Sequence, residues 1–256
     1  MNQSSPISAN KLDTSEWMPG LSIDCVIIGF DLGKLHILVT KMLDSDIRSL
    51  PGGFIRKDEH MDQAACRILE ERSGLTLPYL QQFYTFGDVD RRKATPVLEQ
   101  WKTNSHMREM VSWLEQRFIS TGYLSLVDMR ESKPSPDALS ETCSWIPLDE
   151  LPELLFDHRR IVKKALEHIQ NQMNYMPVGK SLLPDKFTMK DYQLLYESIL
   201  GRKLDRSNFQ KKMLRLGFLK RHEKMRGGGS HKAPYLYSFH TDTYNKLLEK
   251  GIGYMS

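Results

Sequence analysis

The sequence predicts an α+β protein with two domains: a mixed sheet flanked by helices, then a small helical domain that ends in a β-hairpin. Strand-like and helix-like spacings of apolar residues alternate through the first two thirds of the chain. The charged residues are also distributed unevenly between the two predicted domains. Residues 1–173 carry 20 Lys and Arg against 25 Asp and Glu, whereas residues 174–256 carry 16 against 7. The basic C-terminal part is therefore expected to face a polyanion.

The composition excludes several classes of protein. Residues 1–18 are polar and aperiodic, which predicts a flexible tail. No stretch approaches the roughly 18 apolar residues that a membrane span needs, and the N-terminus has no apolar signal core. The sequence therefore predicts a cytoplasmic protein without a membrane partner. Cys25, Cys66 and Cys143 have apolar neighbours and no metal-ligand spacing, which favours buried, reduced thiols.

The first domain is predicted at residues 19–175. Its strands are expected where β-formers cluster between turn residues, and its helices where apolar residues recur every three or four positions. Gly74 is the expected C-terminal stop of the first helix. The predicted strands are at 23–30, 35–42, 81–89 and 117–127, with a further short strand after the Leu-Pro-Gly-Gly turn at 50–53. The predicted helices are at 61–72 and 157–172, and a Pro- and Ser-rich exposed loop is expected at 132–142.

One segment of this domain has the spacing of a known motif. Gly53 is followed after five residues by Glu59, and after seven more by Arg67-Ile-Leu-Glu-Glu-Arg-Ser-Gly-Leu75. This segment resembles the Nudix box of the Nudix hydrolase superfamily, and the preceding Leu-Pro-Gly-Gly-Phe is similar to that family as well. The resemblance covers residues 21–172 and implies an α/β/α sandwich around a mixed sheet.

A Nudix box is catalytic when glutamates one turn apart on its helix bind Mg²⁺, a cation that prefers oxygen ligands. Here those positions are Ile68, Glu71 and Arg72, so one carboxylate remains and one position holds a cation that repels the metal. Glu70 lies nearly opposite Ile68 on the helix and cannot substitute. Arg67 and Glu71 are expected to pair instead. We therefore predict a binding domain with no catalytic residue, no bound metal and no cofactor.

The positions of the motifs indicate a candidate ligand pocket. The segment from Thr85 resembles two successive strands of the same family that a short loop normally joins. Here residues 93–116 intervene as a predicted helical insertion, either a lid over the pocket or a packing element. The predicted ligand-binding residues are Arg56, Arg67, Glu70, Glu71, Asp88, Asp90 and Arg91.

The second domain is predicted at residues 176–256. Thr188 is the expected N-cap of one helix, which ends at Gly201, and Asp205 is the expected N-cap of a second helix. Two helices joined by so short a turn have the proportions of a helix-turn-helix. Two alternating segments, 217–222 and 235–240, flank a basic Gly-rich loop and complete a winged helix. The predicted DNA-binding residues are Arg206, Ser207, Asn208, Lys211 and Lys212 on the second helix, and Arg226, His231 and Lys232 in the wing.

This second segment closely resembles the C-terminal domain of the Nudix-related transcriptional regulators, through Leu-Leu-Pro at 182–184, Arg-Ser-Asn-Phe at 206–209 and the basic wing. The Gly-Arg-x-Arg-Pro-Ala wing tip of that family is absent, which puts the wing's sequence preference in doubt. The resemblance implies a ligand-responsive regulator, usually a repressor, that binds a palindromic double-stranded DNA operator as a homodimer. Its effector would be a sugar such as arabinose or an ADP-ribose-like nucleotide, with the arabinose-type members favoured.

Two other functions stay open at the level of sequence. The chain fits a Mg²⁺-dependent Nudix pyrophosphohydrolase with a nucleic-acid-binding appendage, because Glu71 remains in the box. It also fits an interaction protein whose winged helix binds another protein rather than DNA.

Overall fold

The structure, a computed structural model, describes residues 14–77, 79–91, 108–225 and 233–251. The chain folds into two compact units. The first unit comprises Met1–Ile28, Ile37–Ser125 and Ser132–Ala165, and the second comprises Gly29–His36, Leu126–Glu131 and Leu166–Ser256. Among the residues described, none of the helices is long and apolar enough to cross a membrane.

The large sheet has seven strands in the described part of the chain. They are β1 (Trp17–Asp31), β2 (Lys34–Met42), β3 (Arg48–Ser49), β4 (Gly52–Arg56), β5 (Gln81–Phe86), β6 (Ile119–Leu126) and β7 (Ser140–Pro147). The main order is β3-β2-β1-β6-β5, with β4 paired to β1 and β7 paired to β2. The helices described with this sheet are α1 (Met61–Ser73), α2 (Arg108–Leu114) and α3 (His158–Gln172).

The positions of β1 and α1 follow from their apolar residues. The middle of β1 is buried continuously, as expected of a central strand covered on both faces. Helix α1 buries Ala64, Ala65, Ile68 and Leu69 on one face, and it ends at Gly74 in the left-handed conformation, with φ at +65°. The predicted first helix and its stop are therefore confirmed. The antiparallel pairing of β4 with β1 places Gly53 opposite Ile23, beside α1.

Besides the unpredicted short strand β3 and strand ends that shift by up to three residues, the structure differs from the sequence predictions at three places. Strand β1 begins at Trp17 rather than at residue 23, because the Trp17 ring packs against Phe54 at 4.7 Å. The loop prediction for 132–142 is wrong for its last residues, since β7 begins at Ser140 and Glu141 accepts a 2.7 Å hydrogen bond from Lys41. Cys66 is exposed, contrary to prediction, because it lies on the outer face of α1. Cys25 and Cys143 are buried.

In its described residues, the second unit contains the end of α3, three further helices and a three-stranded sheet. The helices are α4 (Met189–Leu200), α5 (Arg206–Arg215) and α6 (Thr241–Lys250), and the strands are β8 (Phe187–Thr188), β9 (Leu219–Lys224) and β10 (Tyr235–Phe239). The strand order is β8-β10-β9. Together with the sheet and helices of the first unit, this winged arrangement confirms the predicted α+β fold class.

Local signals in the sequence account for the helix-turn-helix. The Thr188 side chain accepts the backbone N–H of Asp191 at 3.2 Å, and the Asp205 side chain accepts that of Asn208 at 2.8 Å. Gly201 ends α4 in the left-handed conformation, with φ at +65°. Both predicted caps and the predicted stop are confirmed. The core beneath is aromatic, with Tyr192 at its centre, and its ring contacts Phe187, Tyr196, Phe209, Phe218 and Phe239.

Some predictions lie outside the described residues. They are most of the tail at 1–18, the part of the insertion at 93–107, and the wing residues Arg226, His231 and Lys232. Within the rest of the insertion, α2 is helical, and Val111 and Trp113 are buried.

Candidate ligand and DNA-binding sites

Arg67 is the centre of the network that the box residues form. Its guanidinium donates two hydrogen bonds to Glu59, at 2.8 and 2.6 Å, and one to Glu71 at 2.8 Å. The contact with Glu71 is the pair predicted from the spacing of one helical turn. Arg67 also donates to the Phe54 carbonyl at 2.9 Å, which fixes α1 to β4. The predicted pocket residues Arg67 and Glu71 therefore lie together.

Arg56 adds a second cation to this network. Its side chain donates to Glu71 at 3.4 Å, and its backbone N–H donates to Glu59 at 2.7 Å. Burial raises the pKa of Glu59, but the hydrogen bonds from Arg67 and from the Arg56 backbone outweigh it, so the pKa lies below its usual value. Two carboxylates and two guanidinium groups thus neutralise one another.

The two substituted box positions have taken other roles. Ile68 is 1% exposed and belongs to the core, and a Cβ built on Gly53 would lie 3.1 Å from its side chain. Arg72 donates to the Gly52 carbonyl at 2.9 Å and to the Asp137 carboxylate at 2.5 Å. A fixed guanidinium therefore occupies the helix face where a catalytic box presents a carboxylate.

These residues do not suit a Mg²⁺ ion. Mg²⁺ needs several oxygen ligands in octahedral geometry, with carboxylates to offset its charge. Glu59 is fully engaged by arginine and backbone donors, and Ile68 and Arg72 offer no oxygen at all. No group of three or more His, Cys, Asp or Glu side chains suited to a metal occurs among the described residues. Glu71, 43% exposed, is the remaining box carboxylate that a solute can reach.

The other predicted pocket residues lie apart from this network. Glu70 is exposed on α1, and Asp90 is exposed after β5. Asp88 forms an ion pair with Arg160 of α3. Arg91 is 96% buried and donates to Asp157 at 2.8 Å, close to Asp24. The structure therefore brings Arg56, Arg67 and Glu71 together and places Arg91 in a second, buried cluster.

That second cluster was missed by the sequence prediction. Asp24 lies in the continuously buried middle of β1, and its partners Ser120 and His158 are 96 and 134 positions away in sequence. Ser120 donates to Asp24 at 2.5 Å, and the Nε2 atom of His158 lies 3.3 Å from it. The one signal in the sequence was a carboxylate inside an otherwise apolar run, Ile-Asp-Cys-Val-Ile-Ile.

The second helix of the helix-turn-helix presents a basic outer face. Phe209 and Met213 are buried beneath it. All five DNA-binding residues predicted on this helix are exposed, namely Arg206, Ser207, Asn208, Lys211 and Lys212. This is the geometry of a recognition helix that reads a major groove.

A carboxylate fixes the turn that sets the direction of this helix. Glu197 of α4 accepts the Leu204 backbone N–H at 2.9 Å, the Gln193 amide at 2.9 Å and the Lys203 ammonium at 3.0 Å. Gln193 also donates to the Leu204 carbonyl. These hydrogen bonds lower the pKa of Glu197 to about 2, and the one from the Leu204 N–H has the largest effect.

A basic and aromatic surface on the wing strands was also missed. The Arg221 guanidinium lies 4.7 Å from the centre of the Tyr235 ring, and the Lys224 ammonium lies 5.5 Å from it. The Tyr235 residue is 41% exposed. The sequence showed the charges, but the pairing of Tyr235 with Lys224 across β10 and β9 decides that they share one face.

Comparison with known proteins agrees with this architecture. A model of the NUDIX domain matches residues 18–168, and a model of the NrtR DNA-binding winged helix domain matches residues 179–239. The chain is 26% identical over 234 residues to the ADPR responsive transcriptional repressor NtrR of Acinetobacter baylyi, covering 89% of this chain and 84% of that protein.

Solved structures share the fold. The crystal structure of Shewanella oneidensis NrtR matches with a TM-score of 0.65 and 22% identity, covering 88% of this chain and 96% of the other. Its complex with a 27mer DNA matches with a TM-score of 0.63 and 21% identity, covering 88% and 95%. Because the NUDIX model matches more than half of the chain and the DNA-binding winged helix model follows it, this chain belongs to the Nudix-related transcriptional regulators.

Proposed function

We propose that this chain is a transcriptional repressor that binds ADP-ribose, or a nucleotide like it, in a non-catalytic Nudix pocket and then releases its operator DNA. The observation that carries the proposal is the neutralised box, in which Arg67 and Arg56 engage Glu59 and Glu71 while Arg72 replaces a metal-binding carboxylate. Such a site retains the scaffold of the fold without the charge that Mg²⁺ chemistry requires.

The identity of the effector rests on the relative from Acinetobacter baylyi, whose name describes it as ADPR responsive. Within the neutralised box, the Arg56 guanidinium is 42% exposed and can bind a phosphate oxygen of a diphosphate, which a neutral sugar lacks. Arabinose, favoured from the sequence alone, is the competing effector. The predicted pocket residues Glu70, Asp88, Asp90 and Arg91 stay candidates for contacts with the rest of the ligand.

The proposed DNA contacts are those of the recognition helix and the wing. Two recognition helices of a homodimer would read successive major grooves of a palindromic operator, as winged and helix-turn-helix dimers do. Lys211→Ala is expected to weaken binding to every sequence, and Asn208→Ala to relax the preference at particular bases. A DNA partner agrees with the cytoplasmic location predicted from the sequence.

The test begins with DNA selected by the purified full-length protein from a random duplex pool. Its affinity for the selected duplex is then measured by fluorescence anisotropy with ADP-ribose, with arabinose and without either. We expect ADP-ribose to weaken DNA binding by about tenfold or more, a typical allosteric coupling. No selected sequence, or equal DNA affinity under all three conditions, would contradict the proposal.

The same protein tests the hydrolase alternative, which the exposed Glu71 carboxylate favours. Incubation of ADP-ribose with Mg²⁺ would yield AMP and ribose 5-phosphate if the box still hydrolysed diphosphates. We expect no turnover above that of the Glu71→Gln variant. Light scattering of the free protein at micromolar concentration tests the homodimer independently.

A further inference from the structure

The buried cluster around Asp24 joins three segments that are distant in sequence. Asp24 on β1 accepts a hydrogen bond from Ser120 of β6 at 2.5 Å, faces the Nε2 atom of His158 at 3.3 Å, and lies 3.6 Å from the Arg91 guanidinium. The side chains of Asp24, Arg91 and His158 are each less than a tenth exposed. A buried carboxylate of this kind is stable only while its partners stay in place.

The tautomer of His158 follows from the contacts of its two ring nitrogens. The Leu50 backbone N–H donates to Nδ1 of His158 at 3.0 Å, so Nδ1 carries no proton. The ring is therefore neutral, and its single N–H, at Nε2, points to Asp24. His158 thus joins Leu50, two residues before β4 begins at Gly52, to the carboxylate on β1.

Asp24 also touches the first residue of β4, because Asp24 and Gly52 are paired across β1 and β4. A Cβ built on Gly52 would lie 2.5 Å from the Oδ1 atom of Asp24, so the backbone of β4 packs closely against the carboxylate at this point. The carbonyl of the same Gly52 accepts the hydrogen bond from Arg72 of the box helix. The start of β4 is consequently held by the box helix and by the Asp24 cluster.

The cluster also fixes the start of α3. Arg91 donates to both carboxylate oxygens of Asp157, at 2.8 and 3.1 Å, and Asp157 directly precedes the helix that begins at His158. The Nη1 atom of Arg91 is buried and has no hydrogen-bond partner among the described residues. The network therefore holds two carboxylates, those of Asp24 and Asp157, and one guanidinium, that of Arg91, which has an unused donor. A small shift of one of these groups changes the hydrogen bonds of the others.

We propose that Asp24 and His158 are positioning residues of the ligand response, which couple the start of β4 at Gly52 to the start of α3. Helix α3 begins in the first compact unit and continues from Leu166 in the second, which contains the winged helix. A ligand that moves the box helix and the start of β4 must change the contacts of Asp24 and His158, and these set the position of α3. This inference rests on the proposed function, because it concerns how ligand binding and DNA binding are linked.

Two serines of the same strand provide a matched test. Ser120 and Ser125 are both buried on β6, and each donates one hydrogen bond, Ser120 to Asp24 and Ser125 to the Tyr79 carbonyl. Ser120→Ala removes a partner of Asp24, whereas Ser125→Ala removes an equivalent bond outside the cluster. His158→Leu breaks the link completely, and His158→Gln keeps a donor near the position of Nε2.

The measured quantity is the factor by which saturating ADP-ribose weakens binding to the selected duplex. The reciprocal factor, the effect of DNA on ADP-ribose affinity by calorimetry, must agree with it. We expect a factor of about ten or more for the wild type and Ser125→Ala, less than about two for His158→Leu, and intermediate values for Ser120→Ala and His158→Gln. In all four variants the DNA affinity without ligand should stay close to that of the wild type. A general loss of structure would lower it.

The outcomes separate the inference from the proposed function. Wild-type factors for both His158→Leu and Ser120→Ala, or equal losses for Ser120→Ala and Ser125→Ala, would overturn the inference alone. If ADP-ribose does not change the DNA affinity of the wild-type protein, both the proposed function and the inference are overturned. If His158→Leu fails to fold, the comparison of the two serine variants decides.

Discussion

The guanidinium of Arg72 contacts the carboxylate of Asp137 at 2.5 Å, across 65 residues of sequence. Arg72 stands on the box helix, and Asp137 lies in the loop before β7. The pair is mostly buried, with 29% and 15% of the two side chains exposed. The substitution that removes a metal ligand therefore also supplies a tertiary contact, which gives the altered box a structural role.

Arg72→Met is expected to destabilise the fold by about 1–3 kcal/mol, because it leaves the buried Asp137 carboxylate without its cationic partner. Urea unfolding followed by tryptophan fluorescence measures the loss. Asp137→Asn in the same background should recover part of it, since the uncompensated charge is then gone. Additive losses in the double variant would show that the two side chains do not depend on each other.

Gly52→Ala is expected to destabilise the protein by about 1–3 kcal/mol, because the added Cβ would lie 2.5 Å from Asp24 in a packed interior. Gly87→Ala is the control, since its nearest neighbour would be 4.0 Å away. That variant should change the free energy of unfolding by less than about 1 kcal/mol. Thermal unfolding of both variants beside the wild type measures the difference, and equal melting temperatures would refute the close approach.

The stability of the helix-turn-helix should depend on pH through Glu197. Its pKa of about 2 lies below the ordinary value of 4.5, so its stabilisation is complete above pH 4.5 and is lost as the pH falls towards 2. Glu197→Gln can accept the Leu204 N–H but cannot titrate. Between pH 5 and pH 2, the melting temperature of the wild type should therefore fall more steeply than that of the variant. Parallel pH profiles would contradict the assignment.

The wing surface formed by Arg221, Lys224 and Tyr235 should contribute to DNA affinity without base preference. Arg221→Ala is expected to weaken binding to all duplexes and to reduce the slope of log affinity against log salt by about one. Lys163→Ala, an exposed lysine of α3, is the control and should leave the slope unchanged. Fluorescence anisotropy across a salt series measures both. An unchanged slope for Arg221→Ala would remove the wing strands from the interface.

Much of the fold could be predicted from the sequence because it depends on interactions between residues that are close together in the chain. The capping residues Thr188 and Asp205, the stop at Gly74 and the pair of Arg67 with Glu71 each act over one helical turn. The hydrogen-bonding partner of such a residue is set by its spacing along the chain, so the pattern alone predicts it. The basic character of the C-terminal part follows from composition in the same way.

Only the tertiary structure decided the partners that are distant in sequence. Asp24 with His158, Arg72 with Asp137, and Arg221 with Tyr235 meet because the strands and helices that carry them pack side by side. A buried charged side chain pairs with whichever opposite charge the fold places next to it, and the spacing of residues along the chain does not predict that partner. The sequence by itself determined that the box lacks two of its three metal-binding carboxylates, at Ile68 and Arg72, and the tertiary structure determined which contacts those positions make instead.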